Sequence, residues 1–455
     1  MNFIDESARA KQRSNKQEEL RAKAFARATE SNEAKSYPTK NQFDVILASN
    51  RDLSVVPITP SWFLGDLNLA AFKDNIQISF TLANLFSGDA RSISWLVWGY
   101  DTMDFNVNSS ALKALSSMYY GRLNHQRDIE NEGRMHYINT LRGINKAIES
   151  NAGTSIDILL ACTSASCYEM IATSTHKKML LHAGGVAKLI ELRGPEQHRS
   201  KLELQVLNTV RNSICVKAIL DRKRSFLQKT EWKTIPWSFE LEDKTLVGQV
   251  QDIMCDIPGL LEDYDVLCAT DTSSRDYRIR LEKLTLDINA CLGLLSEWRV
   301  LWERIYPALS HERVPSFTNS PFSTALYYQD LEAVNGLMIY NALYIRVSRL
   351  GIQLLGQHFD FQQAATLIEF QCTNPVLNSP GASLYDSAFE ICRSAEYHLA
   401  PPHECAGAFF LLFPLRIAYD EFDSCSPVRT WIETFMEHIA TRSGFSISRG
   451  ILQQN

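Results

Sequence analysis

No two of the 10 cysteines stand as a C-x2-C pair. Zinc fingers and ribbons bring their thiolates in such close pairs, so that class of site is excluded. The first cysteine is Cys162, and the others are scattered from Cys167 to Cys425, several inside apolar helical patterns. No charged segment followed by an apolar one opens the chain, so a secretory leader is not expected and the thiols read as reduced and buried. A basic surplus is also missing. The formal net charge of -6 repels phosphate, and no direct DNA contact by this chain is expected. Long apolar runs are few: Leu331–Leu355 is interrupted by Arg346 and Arg349, and Ala406–Ala418 is too short for a bilayer. Both read as buried helices. Alternation of period 2 is confined to an extended passage around Val45-Ile46-Leu47 and Val55-Val56-Pro57. A nucleophile elbow, a zincin helix, a P-loop and a dinucleotide-binding glycine loop are all absent. The chain is therefore read as no enzyme, with no cofactor and no metal.

What remains is helical. Hydrophobic residues make up 45% and charged residues 22%, enough for a sizeable packed core. Residues 1–40 are polar and poor in apolar side chains, an exposed, partly helical arm. Residues 41–60 form an extended connector, and 61–455 a single large domain. Leu281, Leu284, Ile288, Cys291, Leu295, Trp298, Trp302 and Ile305 follow a 3-4-3-4-3-4-3 spacing along one helix face, which Pro307 ends. The two indole rings favour a core position over a coiled coil. Asp330–Leu355 reads as a central helix. Glu404–Asp423 places Ala408, Leu411, Leu415, Ala418 and Phe422 on one face, with a kink at Pro414. Ser426-Pro427 supplies an N-cap and an N1 proline for a final helix. No fixed-period repeat is present, so the fold class is all-α, an irregular array of packed helices.

Three charged or polar clusters invite chemistry. Glu262-Asp263-Tyr264-Asp265 has the look of a magnesium-binding run but lacks a partner motif, and reads as a solvated helix end. Arg222-Lys223-Arg224 offers a weak import signal or plain surface charge. His398 and His403 flank Pro401-Pro402 beside Cys405, a loop between helices whose spacing is unlike that of metal sites.

The most specific segment is His182-Ala183-Gly184-Gly185-Val186, continuing through Leu189-Ile190 to Arg193-Gly194-Pro195-Glu196. Met179, Val186 and Ile190 share a helix face with His182. Arg193 falls in the last turn, where a cation suits the dipole, and Gly194 and Pro195 end the helix. The glycine pair is expected to let another helix approach closely, so that Gly185→Leu would overpack. A core corner with a hydrogen-bonded His182 is the first reading, and a ligand-binding or catalytic His182 the second.

This segment resembles the H-x-x-G…L-I-x-x-R-G-P stretch in the C-terminal regulatory domain of fungal Zn(II)2Cys6 transcription factors. Phe413-Pro414-Leu415, with Ala418 after it, resembles the F-P-L-x-x-A helix near the end of that family, and Phe3-Ile4-Asp5-Glu6 resembles the step that follows its zinc cluster. The resemblance implies a nuclear transcription regulator whose partners are transcription proteins or a DNA-binding protein, with a possible small-molecule effector and a possible homodimer. The cluster's own cysteines have no counterpart here, so zinc and DNA residues are carried over to no position. A helical interaction scaffold is the alternative reading, and an enzyme of unknown type the third.

Overall fold

In the computed structural model, the described residues are 72–85, 107–150, 153–238, 244–307, 310–355 and 384–452. The arm, the connector, the Phe3–Glu6 resemblance and Cys372 lie outside them. All described residues belong to one compact unit, Leu69–Asn455. It is an all-α array, and among its described residues no helix is long and apolar enough to cross a membrane.

The chain runs through α1 (Lys73–Asn84), α2 (Val107–Leu123), α3 (Arg127–Glu149), α4 (Ile156–Ala172), α5 (His176–Arg193) and α6 (Lys201–Asp221). A short α7 (Thr230–Thr234), α8 (Leu246–Met254), α9 (Ile257–Cys268) and the long α10 (Arg275–Ile305) follow. After a hairpin of β1 (Ser310–Arg313) and β2 (Ala325–Tyr328) come α11 (Leu331–Leu355), α12 (Leu384–His398), α13 (Glu404–Tyr419), α14 (Pro427–Arg442) and α15 (Ser448–Ile451). In the first half α2 packs on α1, α3 and α4, while α5 bridges α4 and α6. In the second half α11 packs on α10, α12 and α13.

Side-chain caps fix many of the helix starts. Ser155, Ser200, Thr245, Ser274 and Ser426 each accept a hydrogen bond from a first-turn backbone N–H, worth about 1 kcal/mol apiece. Pro427 stands at the start of α14, as Ser426-Pro427 indicates.

The 3-4 spacing of α10 is a core seam. Leu284, Ile288, Cys291, Leu295, Trp298 and Trp302 are all buried, Leu281 is half-buried, and only Ile305 is exposed. Each indole satisfies its N–H on backbone: Trp298 Nε1 donates to Leu246 O at 2.8 Å and Trp302 Nε1 to Ala333 O at 2.9 Å. Burying such rings contributes roughly 2–3 kcal/mol each beyond their hydrogen bonds. Between them Arg299 lies inside the protein, its guanidinium paired with Glu390 at 3.0 Å and with Glu303 at 2.9 Å. Asn341 Nδ2 completes the group by donating to Glu390 at 2.8 Å.

The hairpin pairs Ser310 with Tyr328 and Arg313 with Ala325, antiparallel. It was not foreseen: β1 is exposed throughout and β2 shows no alternation of buried and exposed residues. Helix α13 runs through Pro414 and ends at Tyr419, short of the anticipated Asp423. Its start is pressed against α12, since a Cβ on Gly407 would overlap the carbonyl oxygen of His398. Only a glycine permits that approach. Two cysteines depart from the buried expectation: Cys268 and Cys425 are exposed.

Candidate functional site

The His182–Pro195 segment folds as a helix followed by a tight corner. Gly194 takes φ +75°, a conformation that L side chains rarely adopt, and Pro195 opens a short 3-10 turn ending at His198. Arg193 clamps this corner. Its Nη1 donates to Thr154 O and its Nη2 to Glu203 Oε1. Glu203 is itself held by Ser200, whose hydroxyl donates to Oε2 at 2.8 Å and accepts from the Glu203 N–H at 3.3 Å. This is a capping box drawn together with the preceding helix end. His198 is fully buried, and burial pushes its pKa down to about 4.

The glycine pair behaves differently from expectation. A Cβ on Gly185 would meet nothing within 4 Å, so Gly185 is an exposed position and Gly185→Leu would not overpack. A Cβ on Gly184 would meet only the flexible end of Lys217. No backbone of α6 is among the near contacts at either point: the Lys217 side chain lies beside Gly184, and Gly185 faces open space.

His182 is half-buried and hydrogen-bonded. The Tyr137 hydroxyl donates to Glu169 Oε1 at 2.7 Å, which leaves its oxygen to accept from His182 Nε2, also at 2.7 Å. Burial pushes the His182 pKa down, against the pull of Glu169. Tyr137 stacks on Tyr168 with ring centroids 4.2 Å apart. The string ties α3, α4 and α5 together, which suits a core histidine. Glu169 was not singled out from the sequence; its signal is a carboxylate in the otherwise apolar run of α4.

The two charged runs meet each other. Arg222 pairs with Asp265 at 2.6 Å, Lys223 with Glu262 at 3.2 Å, and Arg224 with Asp263. Neither run therefore presents a bare patch of one sign. In the α12–α13 loop, His398 Nδ1 bonds Ser394 O and His403 Nε2 bonds Tyr397 O, both at 2.9 Å, while the Cys405 thiol meets the Tyr119 hydroxyl at 3.0 Å. These groups face separate partners. No group of three or more His, Cys, Asp or Glu among the described residues is placed to hold a metal.

One cavity stands out, of about 280 Å³. The end of α4, α5, α6, α11, α13 and the C-terminal segment line it, and it is partly open to solvent. Its walls are apolar, with Met170, Met179, Val216, Leu412, Phe413 and Ile451 among them. Phe413 belongs to the F-P-L stretch and Met179 to the helix carrying His182. Pro414 and Leu415 are buried behind Phe413. The C-terminal wall is latched by Ile447 N donating to Met170 O at 3.1 Å, and by Gly450, where a Cβ would overlap Ser174 O. Five polar side chains reach the lining: Asn212, Ser213, Arg346, Arg416 and Asp420, of which Ser213 donates to the Val210 carbonyl. Arg416 is paired with Asp420. Among the described residues Arg346 has no such partner, and the Asn212 Oδ1 is buried without a hydrogen bond. Among the sequence candidates, then, only Phe413 touches the cavity, and the others build the corner beside it.

The fold and site define an all-α protein with an apolar chamber and a cation in its wall. No family model matches the chain, and no solved structure matches it. A protein of Emericella nidulans described as uncharacterized is 25% identical over 158 residues, which is 34% of each chain. The chain thus spans about a third of that protein's length in the matched region.

Proposed function

We propose that this chain is the helical regulatory domain of a fungal-type transcription regulator. It acts through protein partners in the nucleus and does not contact DNA by itself. The observation that carries the reading is the joint placement of the two motif-bearing helices. Helix α5, with the His182–Pro195 segment, and α13, with Phe413-Pro414-Leu415, wall the same apolar cavity. A partly open apolar cavity bounded by packed helices suits a ligand-responsive domain, because an occupant that prefers one packing shifts its population. The ion-pairing of the 222–224 triplet agrees with a domain that leaves DNA to another module. The fungal source of the similar protein is consistent with the reading.

The test is a reporter assay with the whole chain fused to a foreign DNA-binding domain in a fungal host. A change in reporter output that depends on the fused chain is expected. An inert fusion, together with a cytosolic location of the chain, would remove this reading.

A second reading rests on a different observation. The outer face of α10 exposes Ile279, Leu286 and Leu294 at near-heptad spacing, which favours an interaction scaffold with no DNA role. Pull-down partners lost on Leu286→Glu but kept on cavity variants would favour that alternative.

A further inference from the structure

Buried arginines of this protein have carboxylates to face. The side chains of Arg193, Arg211 and Arg299 are 6%, 1% and 4% exposed, and they pair with Glu203, Asp252 and Glu390. Arg346 does not follow the rule. It projects from the apolar helix α11 into the cavity lining, its Nε is buried without a partner, and it makes no hydrogen bond or ion pair among the described residues. The two acids near enough to act on it are already engaged, Asp420 by Arg416 and Glu421 by Arg349. Burial lowers the guanidinium pKa, and the neighbouring cations Arg222 and Arg416 add to this. Arg346 is half-buried, and a partly desolvated cation with no counter-charge of its own is unfavourable enough that an anionic occupant would stabilise it. A second group in the same wall points the same way. Asn212 is 8% exposed, lines the cavity, and its Oδ1 is buried without a hydrogen-bond partner.

We propose that this cavity binds a small amphipathic carboxylate, with its anionic head on the Arg346 guanidinium and its apolar body against Met179, Val216, Leu412 and Phe413. Charge selects the head group. The lining carries Arg346, Arg416 and Asp420, a net single positive charge that one monoanion neutralises, whereas a phosphate dianion would be repelled by Asp420. Arg346 also offers the planar fork that a carboxylate matches in two bonds. The Asn212 oxygen is open to a further donor, a hydroxyl or amide N–H, on ligands that carry one in addition to the carboxylate. Size selects the body: a space of about 280 Å³ holds a molecule on the order of ten non-hydrogen atoms, reckoned at about 30 Å³ per water displaced. Medium-chain fatty acids and aryl-alkanoates have these dimensions. The proposal gives the regulatory reading its effector class, but the binding itself does not depend on that reading.

Isothermal titration of the purified whole chain tests it, with decanoate and 4-phenylbutyrate as anionic probes and decanol and decylammonium as neutral and cationic controls. At least one carboxylate should bind, at least tenfold more tightly than decanol, with decylammonium excluded. Arg346→Met should weaken the carboxylate at least tenfold and leave decanol unchanged, while Arg346→Lys retains most of the affinity. The melting temperature of Arg346→Met should not fall, since no partner is lost, which separates lost binding from lost folding. Val216→Trp should block carboxylate and decanol together by filling the space. No binding of either carboxylate, equal binding of decanoate and decanol, or affinity unchanged in Arg346→Met would overturn the proposal. Binding that persists while the tethered reporter stays silent would uphold the site and remove the regulatory reading alone.

Discussion

Single residues show how much depends on the partner across the gap. Gly185 and Gly407 are both helical glycines, and nothing in their local sequence tells them apart. Gly185 faces open space, so Gly185→Ala should raise stability by about 0.5–1 kcal/mol through helix propensity alone. Gly407 lies against the His398 carbonyl, so Gly407→Ala should sharply lower the melting temperature or prevent folding. Urea titration of the pair checks both signs. Arg193→Ala should cost about 2–3 kcal/mol in the same assay, because Glu203 and the Thr154 carbonyl lose a charged donor. Two histidines set a pH dependence. His198 and His398 are fully buried, each with Nε2 unpartnered, and burial pushes both pKa values to about 4. Unfolded histidine takes up its proton near about 6.5. Between those values the unfolded chain binds more protons than the folded one, so stability is lost as pH falls from about 6.5 toward 4. Thermal melts across that window should be shallower in pH dependence for His398→Gln than for the parent. The sequence displayed Arg346 as a charge within an apolar run. That no acid among the described residues turns to meet it is a fact of three dimensions and was not legible.

Elements were the most readable level. A period of three and four residues is imposed by helix geometry, so the α10 seam, the central α11 and the capped α14 could be placed from side-chain type alone. Their burial follows that spacing, and Trp302→Ala should cost about 3–5 kcal/mol because it leaves a cavity and removes the indole hydrogen bond to the Ala333 carbonyl. The hairpin was invisible because β1 is solvated on both faces and carries no alternation. Pairing between elements was equally hidden. The acidic run of α9 and the basic run after α6 each look like surface charge when read alone, and only the α6–α9 contact brings them into register. These pairs are partly exposed, so Asp265→Asn should cost no more than about 1 kcal/mol and the cost should shrink in high salt.

For the whole molecule, the fold class follows from composition and period, whereas the candidate site is assembled from six separate segments that no local pattern links. Net charge is a property of the entire chain, and at -6 it sets an expectation for nucleic acid. Fluorescence anisotropy should show weak binding to duplex DNA, without sequence preference, abolished by moderate salt and indifferent to added zinc. Tight binding to one operator at physiological salt would contradict it. The order of the segments carries a last consequence. Ile447 and Ile451 complete a cavity whose adjoining wall, Met170 and Met179, is translated much earlier. A nascent chain emerges amino end first, so until the ribosome has passed Ile451 the chamber is an open trough with no floor on one side. A chain halted at Arg442 would lack Ile447 and Ile451 from the cavity wall, and on the proposal above it should fail to retain the carboxylate that the longer chain holds.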